Sequence, residues 1–164
     1  MRFQAQQTLD GSVAAVEAGL TDPGFYESLQ DLTKVGAPEV VDTTRTADHV
    51  VQRVRYRFVA DLPGAVTAIV DPARLTWIEA GHYDLTAHTS THDIQPDHYA
   101  DRLAGSYACT LVPDGSGSRR TVTGEISVHA ALVHGRVEKV IVEGLQDFAT
   151  EQAEHLNRWL RTHA

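Results

Sequence analysis

Cysteine is all but missing from this chain. Cys109 stands alone among 164 residues, so no intramolecular disulfide can form, which fits a reducing cytoplasm. Long apolar runs are missing too. No stretch approaches the roughly 18 apolar residues of a membrane-crossing helix, and the opening MRFQAQQTLDGS lacks the apolar run of a signal peptide. Lysine occurs only at Lys34 and Lys139, and 22 acidic residues against 14 basic ones leave a net charge of -8. A phosphate backbone calls for clustered Lys and Arg, so this balance argues against a nucleic-acid partner. There is no Gly-rich phosphate loop, no CxxC, no GxSxG and no HExxH, and Asp42, Asp48 and Asp71 make no calcium-loop pattern. The expectation is one cytoplasmic domain over residues 1–164 with no stable membrane insertion, no cofactor and no resident metal. Oligomeric state stays open, and no catalytic residue is assigned.

What is present is periodicity. Arg2 to Leu9 alternates, with Phe3, Ala5, Gln7 and Leu9 on one face, and predicts a strand. Ser12 offers an N-cap for a helix over Val13–Leu20. Asp22-Pro23 starts a second over Pro23–Leu32 that carries Phe25, Tyr26, Leu29 and Leu32. Both are too short to stand alone and must pack on something. Val35–Thr46 reads as an edge strand because it contains Pro38. Asp48–Val59 is the clearest strand: Val50, Val54, Tyr56 and Phe58 share a face, and Arg53, Arg55 and Arg57 lie on a solvated one.

A connector with a short helical turn near Ala65–Val70 leads to a strand over Arg74–Leu85, with Leu75, Trp77 and Tyr83 on one face. A polar strand covers Thr86–Ile94, and Gln95-Pro96-Asp97 marks a turn. Tyr99–Val112 carries Leu103, Tyr107, Cys109 and Leu111 on one face, PDGSGS is a hairpin loop, and Arg119–Leu132 turns Val122, Ile126, Val128 and Ala130 to one side. From Val133 to Arg161 one long amphipathic helix shows Val137, Ile141, Leu145, Phe148, Gln152, Leu156 and Trp159 at steps of three and four. Gly144 inside it costs about 1 kcal/mol relative to Ala and needs an offset. Close approach of a strand is the first reading, room for a ligand the second.

Candidate chemistry is sparse. Four of the nine histidines, His82, His88, His92 and His98, crowd one segment. On a strand His88 and His92 would share a face but stand roughly 13 Å apart, too far for one metal ion, so a polar solvated sheet edge is the preferred reading. Cys109 shows no base or electropositive setting at a fixed spacing and reads as a small buried hydrophobe. Glu125 points outward by alternation. Glu79 shares a face with Trp77 and Tyr83; pointed into an apolar hollow, its pKa would rise and it could anchor a ligand. Small inward residues (Ala5, Gly105, Gly124, Ala130 and Gly144) leave room for such a hollow.

The element order, the Asp-Pro-Gly-Phe-Tyr helix start at Asp22–Tyr26 and the run GEISVHAALVHGRVEKVIVEGL from Gly124 to Leu145 resemble the START-like (SRPBCC) superfamily, in an uncharacterised bacterial branch. In that branch a strand turns into the last helix with a Gly and then a Glu, as at Gly135 and Glu138, while Ala131 and His134 occupy places of Pro and Gly. The resemblance implies an α+β helix-grip fold, a curved antiparallel sheet wrapped around the C-terminal helix. It further implies a cavity for a small hydrophobic or amphipathic ligand of lipid, polyketide or quinone-like kind. The residues expected to hold it are Phe25, Tyr26, Tyr56, Phe58, Trp77, Glu79, Tyr83, Tyr107, Ile126, Val128, Ile141, Leu145 and Phe148, with Tyr56, Glu79 and Tyr107 orienting its polar group. The second helix and the start of the last would form the mouth. The alternatives are a polyketide cyclase or aromatase-type enzyme, and an interaction protein with a solid core, which a void smaller than about 150 Å³ would favour.

Overall fold

The structure, a computed structural model, describes residues 1–68, 70–129 and 134–163. Seven strands form one antiparallel sheet in the order β1-β7-β6-β5-β4-β3-β2. They are β1 (Arg2–Leu9), β2 (Glu39–Arg45), β3 (His49–Arg57), β4 (Thr76–Asp84), β5 (Thr89–Pro96), β6 (Leu103–Asp114) and β7 (Gly117–Val128). The sheet holds a 30-residue helix, α4 (His134–His163), and the short helices α1 (Val13–Leu20), α2 (Pro23–Ser28) and α3 (Gly64–Thr67) complete the helix-grip fold. No helix among the described residues is long and apolar enough to cross a membrane.

Local rules account for most of these elements. In β3 burial alternates strictly, and Val50, Gln52, Val54 and Tyr56 all point inward. Ser12 accepts a hydrogen bond from the Ala15 amide at 3.3 Å and opens α1; Asp22 accepts from the Gly24 amide at 2.8 Å and opens α2. Gly115, with φ 61°, supplies the left-handed residue of a two-residue turn, so β6 and β7 run on through Asp114 and Gly117 and the PDGSGS loop is shorter than expected.

Other boundaries also differ. The second helix stops at Ser28, where Leu29 leaves helical geometry at ψ 84°. Val35 makes only an isolated bridge with Phe58, and β2 proper begins after Pro38, which has no amide to donate. It remains the edge strand expected. The strand over Thr86–Ile94 begins only at Thr89, because the Asp84 carboxylate ties the Thr86 and Ala87 amides into a turn. The expected inward position of Ala130, the strand end at Leu132 and the helix start at Val133 lie outside the described residues, as does Ile69 in the helical turn.

The C-terminal half of α4 is seated firmly. Leu156 and Leu160 are buried against α1, and Phe25 meets Trp159 edge-on with ring centroids 6.0 Å apart. A Cβ on Gly19 would sit 2.9 Å from Leu156 Cδ1, and one on Gly11 2.9 Å from Leu160 Cδ1. Burying each leucine side chain contributes about 2 kcal/mol.

Candidate functional site

The other half of α4 does not close on the sheet. Beneath it lies a cavity of about 130 Å³ that opens to solvent. Its floor is the concave face of the sheet: Phe58 beyond the end of β3, Trp77, Ile94, Leu103, Ile126 and Val128. Val137, Val140, Ile141, Gly144, Leu145 and Phe148 of α4 form the roof. Leu62, Val66, Val70 and Leu75, on and around α3, wall one side. Lys34, Arg74, His98, Tyr99 and Arg102 stand at its rim.

Gly144 is explained by this space. A Cβ there would meet only Phe58 Cε2, at 3.9 Å, so the preferred reading of close packing is overturned and room under the helix takes its place. Gly105 and Gly124, by contrast, leave no room. Ile126 and Ile94 fill the space over Gly105; Phe3 and Tyr107 fill that over Gly124. The mouth is also not where it was expected. α2 packs near Trp159 at the far end of α4 and lines no part of the cavity; the connector Leu62–Arg74 and the loop around Tyr99 border it instead.

Of the residues expected to hold a ligand, Phe58, Trp77, Ile126, Val128, Ile141, Leu145 and Phe148 meet around this cavity. Phe25, Tyr26, Tyr56 and Tyr83 do not line it; they are core. Tyr56 stacks on Trp77 at 5.6 Å and meets Phe148 edge-on at 5.4 Å, its hydroxyl buried without a partner among the described residues. Tyr26 is spent on the Leu20 carbonyl, to which it donates at 2.9 Å. Burial holds the phenols of Tyr26, Tyr56, Tyr83 and Tyr107 above their ordinary value.

Glu79 and Tyr107 border a second, smaller cavity of about 30 Å³, shared with Arg120 and Gln152 and separated from the first by Leu145 and Phe148. A buried polar network runs through it. His92 Nδ1 donates to Glu79 at 3.1 Å, and its Nε2 faces the Ser90 hydroxyl at 2.9 Å. The His92 ring stacks on Tyr107 with centroids 4.3 Å apart, over space that Gly81 leaves open. Arg120 donates to Gln152 at 3.1 Å, to Gln7 at 3.4 Å and to the Cys109 sulfur at 3.2 Å. Gln7 in turn donates to the Ala149 carbonyl, so the network ties β1 and β7 to α4.

Three expectations change here. His92 is buried, not part of a solvated edge, because β5 turns Ser90, His92 and Ile94 to the concave face while Thr91 and Asp93 face out. Glu79 does point inward, but its pKa falls. Burial pushes the carboxyl up, yet the hydrogen bonds from His92 and Tyr107 and the Arg120 charge outweigh it. Cys109 does have an electropositive setting. Burial raises the thiol, and the Arg120 charge and His92 bring it down to about 7. For His92 burial pulls the imidazole down, and Cys109 and Glu79 lift it above its ordinary value. Among the described residues no group of His, Cys, Asp and Glu is placed to hold a metal ion.

Sequence reasoning passed over Arg120 and placed Gln7 on the inward face without a role. The available signal was parity: Arg120 alternates in step with Val122, Ile126 and Val128, and Gln7 with Phe3, Ala5 and Leu9.

A seven-stranded antiparallel sheet gripping one long helix over an apolar hollow defines the helix-grip class, and the likeness to solved structures is of that kind. A protein of Thermus thermophilus is 17% identical with TM-score 0.68, over 100% of this chain and 99% of that one. Zhui aromatase/cyclase from a Streptomyces species is 12% identical with TM-score 0.66, over 98% and 93%. Norcoclaurine synthase from Thalictrum flavum, in complex with dopamine and hydroxybenzaldehyde, is 17% identical with TM-score 0.66, over 100% and 88%. No curated protein matches the sequence. The chain belongs to the family described as protein of unknown function (DUF2505), whose model matches residues 4–160.

Proposed function

We propose that this protein binds a small apolar or amphipathic molecule, with a ring-sized apolar part seated between α4 and the sheet. The observation that carries the reading is the apolar cavity of about 130 Å³ roofed by a helix with a glycine at its centre. At about 130 Å³ it lies below the roughly 150 Å³ under which an interaction protein with a solid core is the favoured alternative. It is nonetheless close to the roughly 150 Å³ of an engineered apolar cavity that holds benzene. One ring or a short alkyl chain fits inside; a larger lipid or polyketide would have to extend through the opening. Burying about 150 Å² of apolar ligand surface contributes ~4 kcal/mol before entropic losses. Dopamine and hydroxybenzaldehyde, held by norcoclaurine synthase, are each built on one aromatic ring.

An aromatase/cyclase-type enzyme is the second reading, favoured by the buried His92 and Arg120 and the half-buried Glu79 and Tyr107 beside the small cavity. It ranks second because about 30 Å³ holds a water molecule or two and no substrate ring. Formation of cyclised product from a linear poly-β-ketone, abolished by Glu79→Gln, would reverse that order.

Native mass spectrometry of freshly purified protein tests the first reading. A co-purifying small molecule is expected, and Gly144→Leu, which places a side chain in the cavity, should lose it. No bound molecule, together with no binding of single-ring probes in solution, would sink the proposal.

A further inference from the structure

The rim of the cavity carries charge of one sign. Lys34, Arg74 and Arg102 line it with His98, and among the described residues no acidic side chain does. Composition does not explain this, because acids outnumber bases 22 to 14 in the chain. Lys34 pairs with Asp147 and Arg102 with Asp101, both at 3.5 Å. Such exposed pairs are weak and leave the cations free to exchange partners. Arg74 forms no ion pair with a carboxylate among the described residues.

Arg74 is nonetheless held in place. Its Nη2 donates to His98 Nδ1 at 3.3 Å, and its guanidinium lies over the Tyr99 ring, 5.3 Å from the centroid. Tyr99 adopts a left-handed backbone, φ 62°, an uncommon and costly conformation for a bulky residue. Its hydroxyl accepts the Asp71 amide at 3.1 Å, while the Asp71 carboxylate caps the turn Pro72–Arg74 by accepting from the Ala73 amide at 3.0 Å. The Asp71 carboxylate is thus engaged with backbone. The guanidinium is fixed at the opening of an apolar hollow.

We propose that the ligand is an anionic amphiphile: an apolar ring or short chain in the cavity, joined to a carboxylate that Arg74 receives at the mouth with Arg102 beside it. This rests on the ligand-binding reading above and names the ligand's chemical class. The carboxylate stays partly hydrated at the rim, so its desolvation cost is small, and a guanidinium offers it paired donors.

The test uses two probes with the same apolar body, 4-phenylbutyrate and 4-phenylbutan-1-ol, titrated into the full chain by calorimetry or NMR. The acid should bind about ten-fold tighter than the alcohol at low salt, the gain of one charge-assisted hydrogen-bonding group. That ratio should fall below about three-fold in 0.5 M NaCl and in Arg74→Gln. Arg102→Gln should lower it by a smaller factor. Circular dichroism checks that each variant is folded. If both probes bind and the acid has no advantage, the cationic mouth has no such role while the cavity reading stands. An acid preference unchanged in both variants overturns the inference as well. If neither probe binds, the cavity reading falls and this inference with it.

Discussion

The two halves of α4 rest on the same sheet in opposite ways. From Gln152 to Leu160 the helix is seated: Leu156 and Leu160 press on Gly19 and Gly11, and the Arg120–Gln152–Gln7 network bonds it to β7 and β1. From Val137 to Phe148 it is a roof, and its glycine faces open space with Phe58 at ordinary contact distance. The glycines on α1 and in the turn before it allow contact; the glycine on α4 faces a gap that no neighbouring side chain fills. The helix is thus packed along its C-terminal half and bridges a hollow along its N-terminal half, where Glu138 accepts the Val128 amide at 3.0 Å.

The contrast can be broken by substitution. Arg120→Ala removes the centre of the anchoring network and leaves Gln7, Gln152 and Cys109 short of a buried partner. We expect a loss of about 4 kcal/mol in urea unfolding, and a loss under 1 kcal/mol would mean that the network does not anchor the helix. Leu156→Ala should cost about 3 kcal/mol and Ile141→Ala about 1 kcal/mol, because the first opens a void in packed core and the second enlarges one already present. Equal costs would erase the distinction between the halves.

Titration sharpens the anchored side. A Cys109 pKa of about 7, below the ordinary thiol value, means that its contribution to stability is present above the unfolded pKa near 9 and is lost as pH falls through about 7. His92, shifted upward, contributes in the opposite sense: fully below about 6.5, and lost as pH rises through its folded value. A direct readout separates them. Thiolate absorbance at 240 nm should rise with a midpoint near pH 7 in the folded protein; a midpoint near 9 would show that Arg120 does not act on the thiol. The smallest effect is at the roof. Gly144→Ala should stabilise by up to about 1 kcal/mol, since helix propensity gains and nothing is displaced. Destabilisation there would mean that the helix lies closer to the sheet than the 3.9 Å contact with Phe58 allows.

Much of the architecture was legible because it follows from short-range rules. Alternation in β3, the Ser12 and Asp22 caps and the apolar stripe of α4 each depend on neighbours within a few residues. The site was legible only in part. The helix stripe and the inward faces led to Ile141, Leu145, Phe148, Ile126 and Val128. Gly144 could not be resolved, because contact and vacancy differ only in where Phe58, far away in the chain, comes to lie. The mouth was misplaced because the connector Leu62–Arg74 has too little periodicity to show where it packs. His92 was missed because β5 is polar on both faces, so alternation gives no contrast; its burial depends on Glu79 and Tyr107 from neighbouring strands. Arg120 shares the parity of the apolar residues, but a charge on that face makes sense only once Gln7 and Gln152 are seen to receive it.

The claim that one end of α4 is hollow and receptive is tested most directly by methyl NMR with a single-ring probe, 4-phenylbutan-1-ol. Shifts confined to the methyl groups of Ile126, Val128, Val137, Ile141 and Leu145, with those of Leu156 and Leu160 unmoved, are the result predicted. Silence at the first set, or equal shifts at both, would contradict it.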